Sequence, residues 1–240
     1  MNKKRTFVVG IICFIALAAT INISYKINNI SGKGPLISKE IEVTSPFNSI
    51  YLDSNIKVII TKNKNQKVII KAESNVLPLI NTYIANNALI ITNERKIKKS
   101  NAVIEVEMNN IHILQAMSGT ISNENQIDKK GHIMILTQNN AQTNLDLKAE
   151  RVYVEINNMS KAYLSGSTGF LKVTADHESE LNALEMTAIK ASISSNSIKN
   201  CDITVSNQLS AAINGSGDIR YKGSPALAVK VMGTGGLEML

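Results

Sequence analysis

From about residue 110 onward, apolar and polar residues alternate in short runs that recur at a nearly constant interval. Alternation with a period of two predicts β-strands that bury one face. A recurrence of about nineteen residues predicts coils of short strands that stack ~4.8 Å apart. Residues 111–240 are therefore predicted to form the regular coils of a parallel β-solenoid. The alternating triplets start 19, 19, 18, 20 and 18 residues apart, at Ile133, Val152, Leu171, Ile189, Leu209 and Leu227.

Each triplet is followed by a polar or glycine-rich corner and then by a second, shorter alternation. Glycine and asparagine at such corners are expected to supply positive φ where the chain turns sharply. An antiparallel sandwich also alternates, but it has no reason to repeat both half-patterns at one interval, so the solenoid is favoured. The glycine-rich corner motif comprises Gly215, Ser216, Gly217 and Asp218, with Gly233 and Gly235 one coil later.

Residues 46–110 show less regular alternation and are predicted to be a β-rich opening portion of the same domain, which extends over residues 46–240. Only residues 76–88 could form a short helix, and Pro78 weakens that prediction. The stretch Asn-Asn-Ile-Ser-Gly-Lys-Gly-Pro at residues 28–35 predicts a flexible linker, which we extend over residues 28–45.

Residues 1–27 are predicted to be an export leader. A basic start (residues 1–5) precedes an apolar run (residues 7–19), and Ala16-Leu17-Ala18 fits a signal-peptidase site. The alternative is an uncleaved membrane anchor, because residues 6–23 carry no charge. Both alternatives place the domain beyond the cytoplasmic membrane, in the periplasm or at the outer membrane or cell surface, or tethered to the inner membrane.

The net charge of +7 is concentrated at the front of the chain, since residues 111–240 hold eleven basic and twelve acidic residues. A basic front fits either contact with anionic lipids and envelope polymers or a solvated lysine-rich surface. The basic run at residues 95–99 lacks interleaved aromatic residues, so no nucleic-acid partner is expected. Of the two cysteines, Cys13 lies in the leader, and cleavage would leave Cys201 without a disulfide partner.

No arrangement of residues predicts catalysis. His112, His132 and His177 lack metal-ligand spacing, and neither a nucleophile elbow nor a phosphate-binding loop occurs, so we expect no catalytic, metal or cofactor site. The densest polar cluster comprises Asp176, His177, Glu178 and Glu180, which we take as surface-site candidates. With Asp202 and Asp218 in later coils, these carboxylates could belong to a polysaccharide lyase or hydrolase on a β-helix. We favour the simpler interpretation, in which these residues are acidic side chains of a solvated turn.

Three parts of the chain form a recognisable set: Phe-Asn-Ser-Ile-Tyr-Leu (47–52) with Ile-Lys-Val-Ile-Ile (56–60), Asn-Asn-Ala-Leu-Ile-Ile (86–91), and the Gly-Ser-Gly-Asp stretch within residues 213–225. Together they resemble the family described as putative auto-transporter adhesin, head GIN domain. Residues 232–236 and 117–120 are similar to degenerate copies of that stretch. The resemblance implies a right-handed β-helix-like fold and a place in the bacterial cell envelope.

We therefore expect a non-enzymatic, exported binding or structural module, adhesin-like, that presents its surface to an envelope protein or glycan. The alternatives are the carbohydrate-active enzyme and a membrane-anchored envelope scaffold or stress component. Membrane contact is expected only through the N-terminal segment. Because the chain stops at Leu240 within an apolar stretch, a homodimer through a solenoid end or edge is also expected.

Overall fold

The computed structural model describes residues 29–240, so the predicted leader lies outside the described residues. Within this range the chain is almost entirely β, with one short 3-10 helix at Leu77–Leu79. The strands are β1 Ile30–Ser31, β2 Leu36–Ile41, β3 Ser49–Asp53, β4 Lys57–Lys62, β5 Lys67–Glu73, β6 Ile80–Ala85, β7 Ala88–Asn93, β8 Ile97–Lys99, β9 Val103–Met108, β10 Ile113–Ala116, β11 Thr120–Asn123, β12 Ile127–Thr137, β13 Gln142–Ile156, β14 Lys161–His177, β15 Glu180–Ser197, β16 Cys201–Ile213, β17 Ile219–Lys222, β18 Ala226–Val231 and β19 Leu237–Met239.

The strands form a parallel β-solenoid, as the repeat predicts. Long strands β12 to β15 each run through more than one side of the coil and pair in parallel with the next coil. The first stack contains residues 132–137 of β12 and 151–156 of β13 and ends at β18. The second stack contains residues 142–144 of β13 and 161–163 of β14 and ends at β19. The third contains residues 127–129 and 147–149.

Aliphatic side chains stack on one another inside the coil. Val152 pairs in register with Ile133 below and Leu171 above, and all three are fully buried. Each large aliphatic buried in this way contributes ~1.5–3 kcal/mol. Most of the predicted triplets therefore form the core that the alternation indicates.

One predicted triplet is out of register. The alternation predicts Ile189 at the start of the fourth triplet, but Ile189 is 52% exposed, and Leu171 pairs with Ala191 instead. The inward positions of that coil are Ala191, Ile193 and Ser195. The β14–β15 pairing contains a register shift, so the first-stack residues lie 20 positions apart here rather than 19, and the extra residue moves the inward set.

The opening portion stacks out of chain order. Strand β7 pairs in parallel with β3, and β9 with β4, although both follow β3 and β4 in the chain. Antiparallel strands cover this end: β6 pairs with β7, and β5 pairs with both β9 and β2. These antiparallel pairs end the parallel stacks, so the first coil does not expose its core.

Two predictions for this portion need correction. The expected linker contains β1, which pairs with β8, and β2, which pairs with β5. Asn75 fixes the loop between them, accepting from the Lys33 N–H at 2.7 Å and donating to the Ser31 carbonyl at 2.9 Å. The possible helix at residues 76–88 is instead a single 3-10 turn followed by β6, in line with the helix-breaking effect of Pro78.

The opposite end of the solenoid is open in the described residues. Leu227, Val229 and Val231 occupy inward positions above Leu209, Ala211 and Ile213, yet they are 47%, 44% and 50% exposed. No helix within residues 29–240 is both long and apolar enough to cross a membrane.

Candidate functional site

One corner of the solenoid carries a line of hydrogen-bonded polar side chains, each from a successive coil. Asn158 donates to Asn139 at 3.1 Å, and the His177 ring lies 2.8 Å from the Asn157 amide oxygen. The line continues in the next two coils, where Asn214 donates to Asn196 at 2.7 Å. One part of this line is named the asparagine corner; it consists of residues 139–140, 158–159 and 177–178.

The backbone of the asparagine corner lies in the left-handed region. Asn139, Asn140 and Asn158 have φ of 51°, 65° and 55°, and asparagine tolerates such values. His177 has φ of 59°, which histidine also tolerates better than most residues. Met159 at 60° has no comparable preference, and a strained backbone of this kind costs ~1–3 kcal/mol per residue. The prediction that asparagines supply positive φ at the corners is confirmed here.

The asparagine corner borders a shallow cavity of about 390 Å³. Of the four predicted surface-site residues, the structure brings His177 and Glu178 to this cavity. Asp176 instead accepts a hydrogen bond from Asn196, and Glu180 pairs with Lys161 at 2.9 Å. The complete lining is Asn139, Asn140, Asn158, Met159, His177 and Glu178.

The later acidic residues are engaged within the solenoid wall. Asp202 is 8% exposed and accepts two hydrogen bonds from the Arg220 guanidinium, at 2.7 and 2.6 Å. Hydrogen bonding to Asp202, and then its charge, raises the pKa of Arg220. Asp218 accepts from the Gly236 N–H at 2.8 Å in the next coil, while its own N–H donates to Asn200. Both carboxylates therefore join successive coils.

The glycine-rich corner motif needs glycine for a different reason from the one expected. Neither Gly215 nor Gly217 has a left-handed φ. A Cβ on Gly215 would lie 2.1 Å from the Ser197 carbonyl oxygen, and one on Gly217 would lie 2.0 Å from that of Lys199. Gly233 and Gly235 repeat this contact one coil later, at 2.1 and 2.2 Å. Glycine is required here because each coil sits on the backbone of the coil below it.

A second shallow cavity, of about 400 Å³, lies beside β2 and β5. Its lining includes Glu40 and Lys67, which pair with each other at 3.0 Å. Its one basic side chain is thus already paired, and Glu42 adds a further negative charge, so this cavity offers a neutral ligand less than the asparagine corner does.

The sequence analysis missed a column of rings on the outer side of the first stack. The His112 and His132 ring centroids lie 6.4 Å apart, and those of His132 and Tyr153 lie 6.1 Å apart. These residues are 20 and 21 positions apart in the chain, close to one coil each. A separation of about one coil is the signal that the sequence offers, whereas metal-binding motifs place their histidines only a few residues apart.

Cys201 is fully buried, and its thiol lies 4.0 Å from the Ser195 hydroxyl. Burial raises the pKa of this thiol to about 12. A thiol of this kind is inert at neutral pH and belongs to the core.

Comparison with solved structures agrees with the fold. A putative adhesin from Bacteroides fragilis NCTC 9343 superposes with a TM-score of 0.80 at 18% identity, covering 88% of this chain and all of the other. A putative adhesin from Parabacteroides distasonis ATCC 8503 gives 0.66 at 17% identity, covering 89% and 100%. A putative lipid binding protein from the same organism gives 0.63 at 15%, with the same coverage. At these identities the likeness concerns the fold alone.

A search among curated proteins gave no match. The family model described as putative auto-transporter adhesin, head GIN domain, matches residues 46–225, three quarters of the chain. This span contains the opening portion, the asparagine corner and most of the regular coils. The chain therefore belongs to the putative auto-transporter adhesin, head GIN domain family.

Proposed function

We propose that this protein is a non-enzymatic, exported binding module of the bacterial cell envelope, and that the asparagine corner binds a neutral glycan. Family membership supports an adhesin-like role. The observation that carries the choice of site is the combination of free amide groups, an apolar thioether and strained backbone in one shallow cavity.

Hydroxyl groups of a sugar need donors and acceptors on a preformed surface, and asparagine supplies both. Asn158 and Asn139 use one donor and one acceptor on each other, so each amide keeps hydrogen-bonding capacity toward solvent. The Asn140 side chain forms no hydrogen bond within the described residues. Because the coils stack ~4.8 Å apart, these groups repeat at a spacing similar to the length of one sugar residue.

The backbone strain supports a function at the same place. Met159 is 51% exposed, although its left-handed φ of 60° would suit asparagine better. Asn140 occupies the corresponding place one coil earlier. A methionine there lowers stability without burying its whole side chain, and its polarisable thioether can contact the apolar face of a sugar ring.

A carbohydrate-cleaving site finds less support. General acid–base hydrolysis needs two carboxyl groups facing one cleft. Glu178 is the one carboxylate that lines the cavity, since Asp176 and Glu180 are engaged elsewhere.

The test is a titration of the isotope-labelled full chain with chitotetraose, maltotetraose and mannotetraose, followed by amide chemical shifts. At least one sugar is expected to bind with a Kd below about 1 mM, with shifts confined to the asparagine corner. Asn140→Ala and Met159→Ala should each weaken binding at least fivefold. Asn207→Ala, an exposed asparagine outside the corner, is the matched control. Shifts centred elsewhere, or no shift with any of the three sugars, would overturn the proposal.

A further inference from the structure

The ring column on the first stack presents polar aromatic groups from three successive coils. His132 is exposed, and His112 and Tyr153 are partly buried. The His132 and Tyr153 rings meet edge to face, with an interplanar angle of 71°. His132 and Tyr153 lie on strands held in register, and His112 directly precedes β10, so the rings form a rigid surface.

Basic side chains flank these rings. Arg151 is the strand partner of His132, and Lys172 is the strand partner of Tyr153. Lys129 donates to the Asn110 amide oxygen. Within residues 29–240, none of Arg151, Lys172 and Lys129 forms a salt bridge, so these cations lack a carboxylate partner near the rings.

Burial and neighbouring positive charge both disfavour the charged forms of groups in this column. Partial burial, followed by repulsion from Lys129 and His132, lowers the pKa of His112. Burial also lowers the pKa of Lys129. An anion placed among these groups would favour their charged forms and raise both pKa values.

Carboxylates occur on the same strands but do not neutralise the column. Asp128 lies 4.0 Å from Lys148, and no acidic group contributes to the lowered pKa of His112. The titratable and charged groups on the packed strands are Tyr51 and Asp53 on β3, Asp128, Lys129, Lys130 and His132 on β12, Asp146, Lys148, Glu150, Arg151, Tyr153 and Glu155 on β13, and Lys161, Tyr163, Lys172, Asp176 and His177 on β14.

We propose that the column of His112, His132 and Tyr153, with Lys129, Arg151 and Lys172, is a binding site for an acidic saccharide. The rings pack against the sugar faces, and the cations hold its carboxylate groups by charge-assisted hydrogen bonds. The rings lie before or within the strands of the first stack, whereas the asparagine corner lies at or beyond the ends of those strands, so the two sites share no residue.

Linkage fixes the sign of the pH dependence. Binding of the carboxylate raises the pKa of His112, so His112 holds its proton more tightly in the complex than in the free protein. Formation of the complex is therefore accompanied by uptake of protons. Affinity should therefore increase as pH falls from 7.5 to 5.5, by roughly five- to tenfold for one linked histidine. The increase should be clearly smaller in the His112→Asn variant.

The experiment is calorimetric titration of the purified full chain with tetragalacturonate, maltotetraose, inorganic phosphate and dihexanoyl phosphatidylglycerol. Tetragalacturonate is expected to bind at least tenfold more tightly than the other three. Tyr153→Ala and Lys172→Ala should each weaken that binding at least fivefold. Tyr163→Ala, a partly buried tyrosine on the second stack, is the matched control.

Other results would overturn the assignment in distinct ways. Equal affinity for phosphate would indicate a simple anion site, and stronger binding of the short-chain lipid would indicate a headgroup site. Binding of tetragalacturonate that Asn140→Ala weakens and Tyr153→Ala does not would move the acidic saccharide to the asparagine corner. If the Tyr153→Ala variant still binds neutral sugars, the asparagine corner is intact, and the two proposals can be tested separately.

Discussion

Substitution of Gly217 by alanine tests how the coils stack. The φ of Gly217 is not left-handed, so alanine can adopt its backbone conformation. The added Cβ would, however, lie 2.0, 2.5 and 2.8 Å from the O, C and N atoms of Lys199 in the coil below. Since ordinary contacts begin at 3.4 Å, the two coils must separate locally by on the order of 1 Å.

The expected loss follows from two contributions. Overpacking of this kind costs ~1–3 kcal/mol. The separation also weakens the hydrogen bond from the Gly217 N–H to the Ser197 carbonyl, now 3.0 Å long, which is worth about 1 kcal/mol. The free energy of unfolding should therefore fall by about 2–4 kcal/mol, which lowers Tm by roughly 5–15 °C for a domain of this size.

Gly236→Ala is the matched control in the same end of the solenoid. Its added Cβ would meet its nearest neighbour, the Asp218 Oδ1 atom, at 3.7 Å. We expect a change within about 0.5 kcal/mol. The free energy of unfolding and Tm of the two variants are measured by urea denaturation and thermal melting, both followed by far-UV circular dichroism. Equal stability of the two variants would refute the claim that Gly217 is required by contact with the coil below.

Three further predictions concern the ends of the solenoid. Burial works against ionisation of Glu73, but hydrogen bonds from Ser100 and Asn101 outweigh it and lower its pKa. Glu73→Gln should therefore destabilise the protein at pH 7. The difference in urea midpoint between wild type and variant should shrink as the pH falls below 4.5 and through the folded-state pKa of Glu73. A difference that does not change with pH would contradict this. Asn75→Ala should speed amide hydrogen exchange in β1 while leaving exchange in β14 unchanged, and uniform acceleration would argue against local anchoring. Val229→Lys should abolish concentration-dependent association of two open ends in sedimentation experiments, and a wild-type protein that stays monomeric at high concentration would contradict that expectation.

The regular coils could be predicted because each depends on a local pattern. Alternation selects the inward face, and the interval of about nineteen residues aligns one coil with the next. The fourth triplet failed because a single extra residue between Leu171 and Ala191 shifted the register, and Ile189 offered an equally apolar alternative. Local hydrophobicity cannot distinguish two alignments that differ by two residues.

The remaining errors involve contacts between distant parts of the chain. The segment before Pro35 has the composition of a linker, but Glu73 and Asn75 hold it in place. A Cβ on Gly32 would lie 2.3 Å from the Glu73 carboxylate. Likewise, the cavity at the asparagine corner depends on the depth of neighbouring turns, which composition does not show. Of the polar cluster, the sequence could suggest His177 and Glu178 but not that Asp176 and Glu180 face other partners.

The position of β9 has a consequence for the order in which the chain folds. Strand β9 lies between β4 and β5, so the platform under the parallel coils stays incomplete until residue 108 is available. After that, every coil can add to a finished edge formed by the one before it. Assembly should therefore advance from this platform toward β19, and thermal fraying should run backward from β19 in steps of one coil.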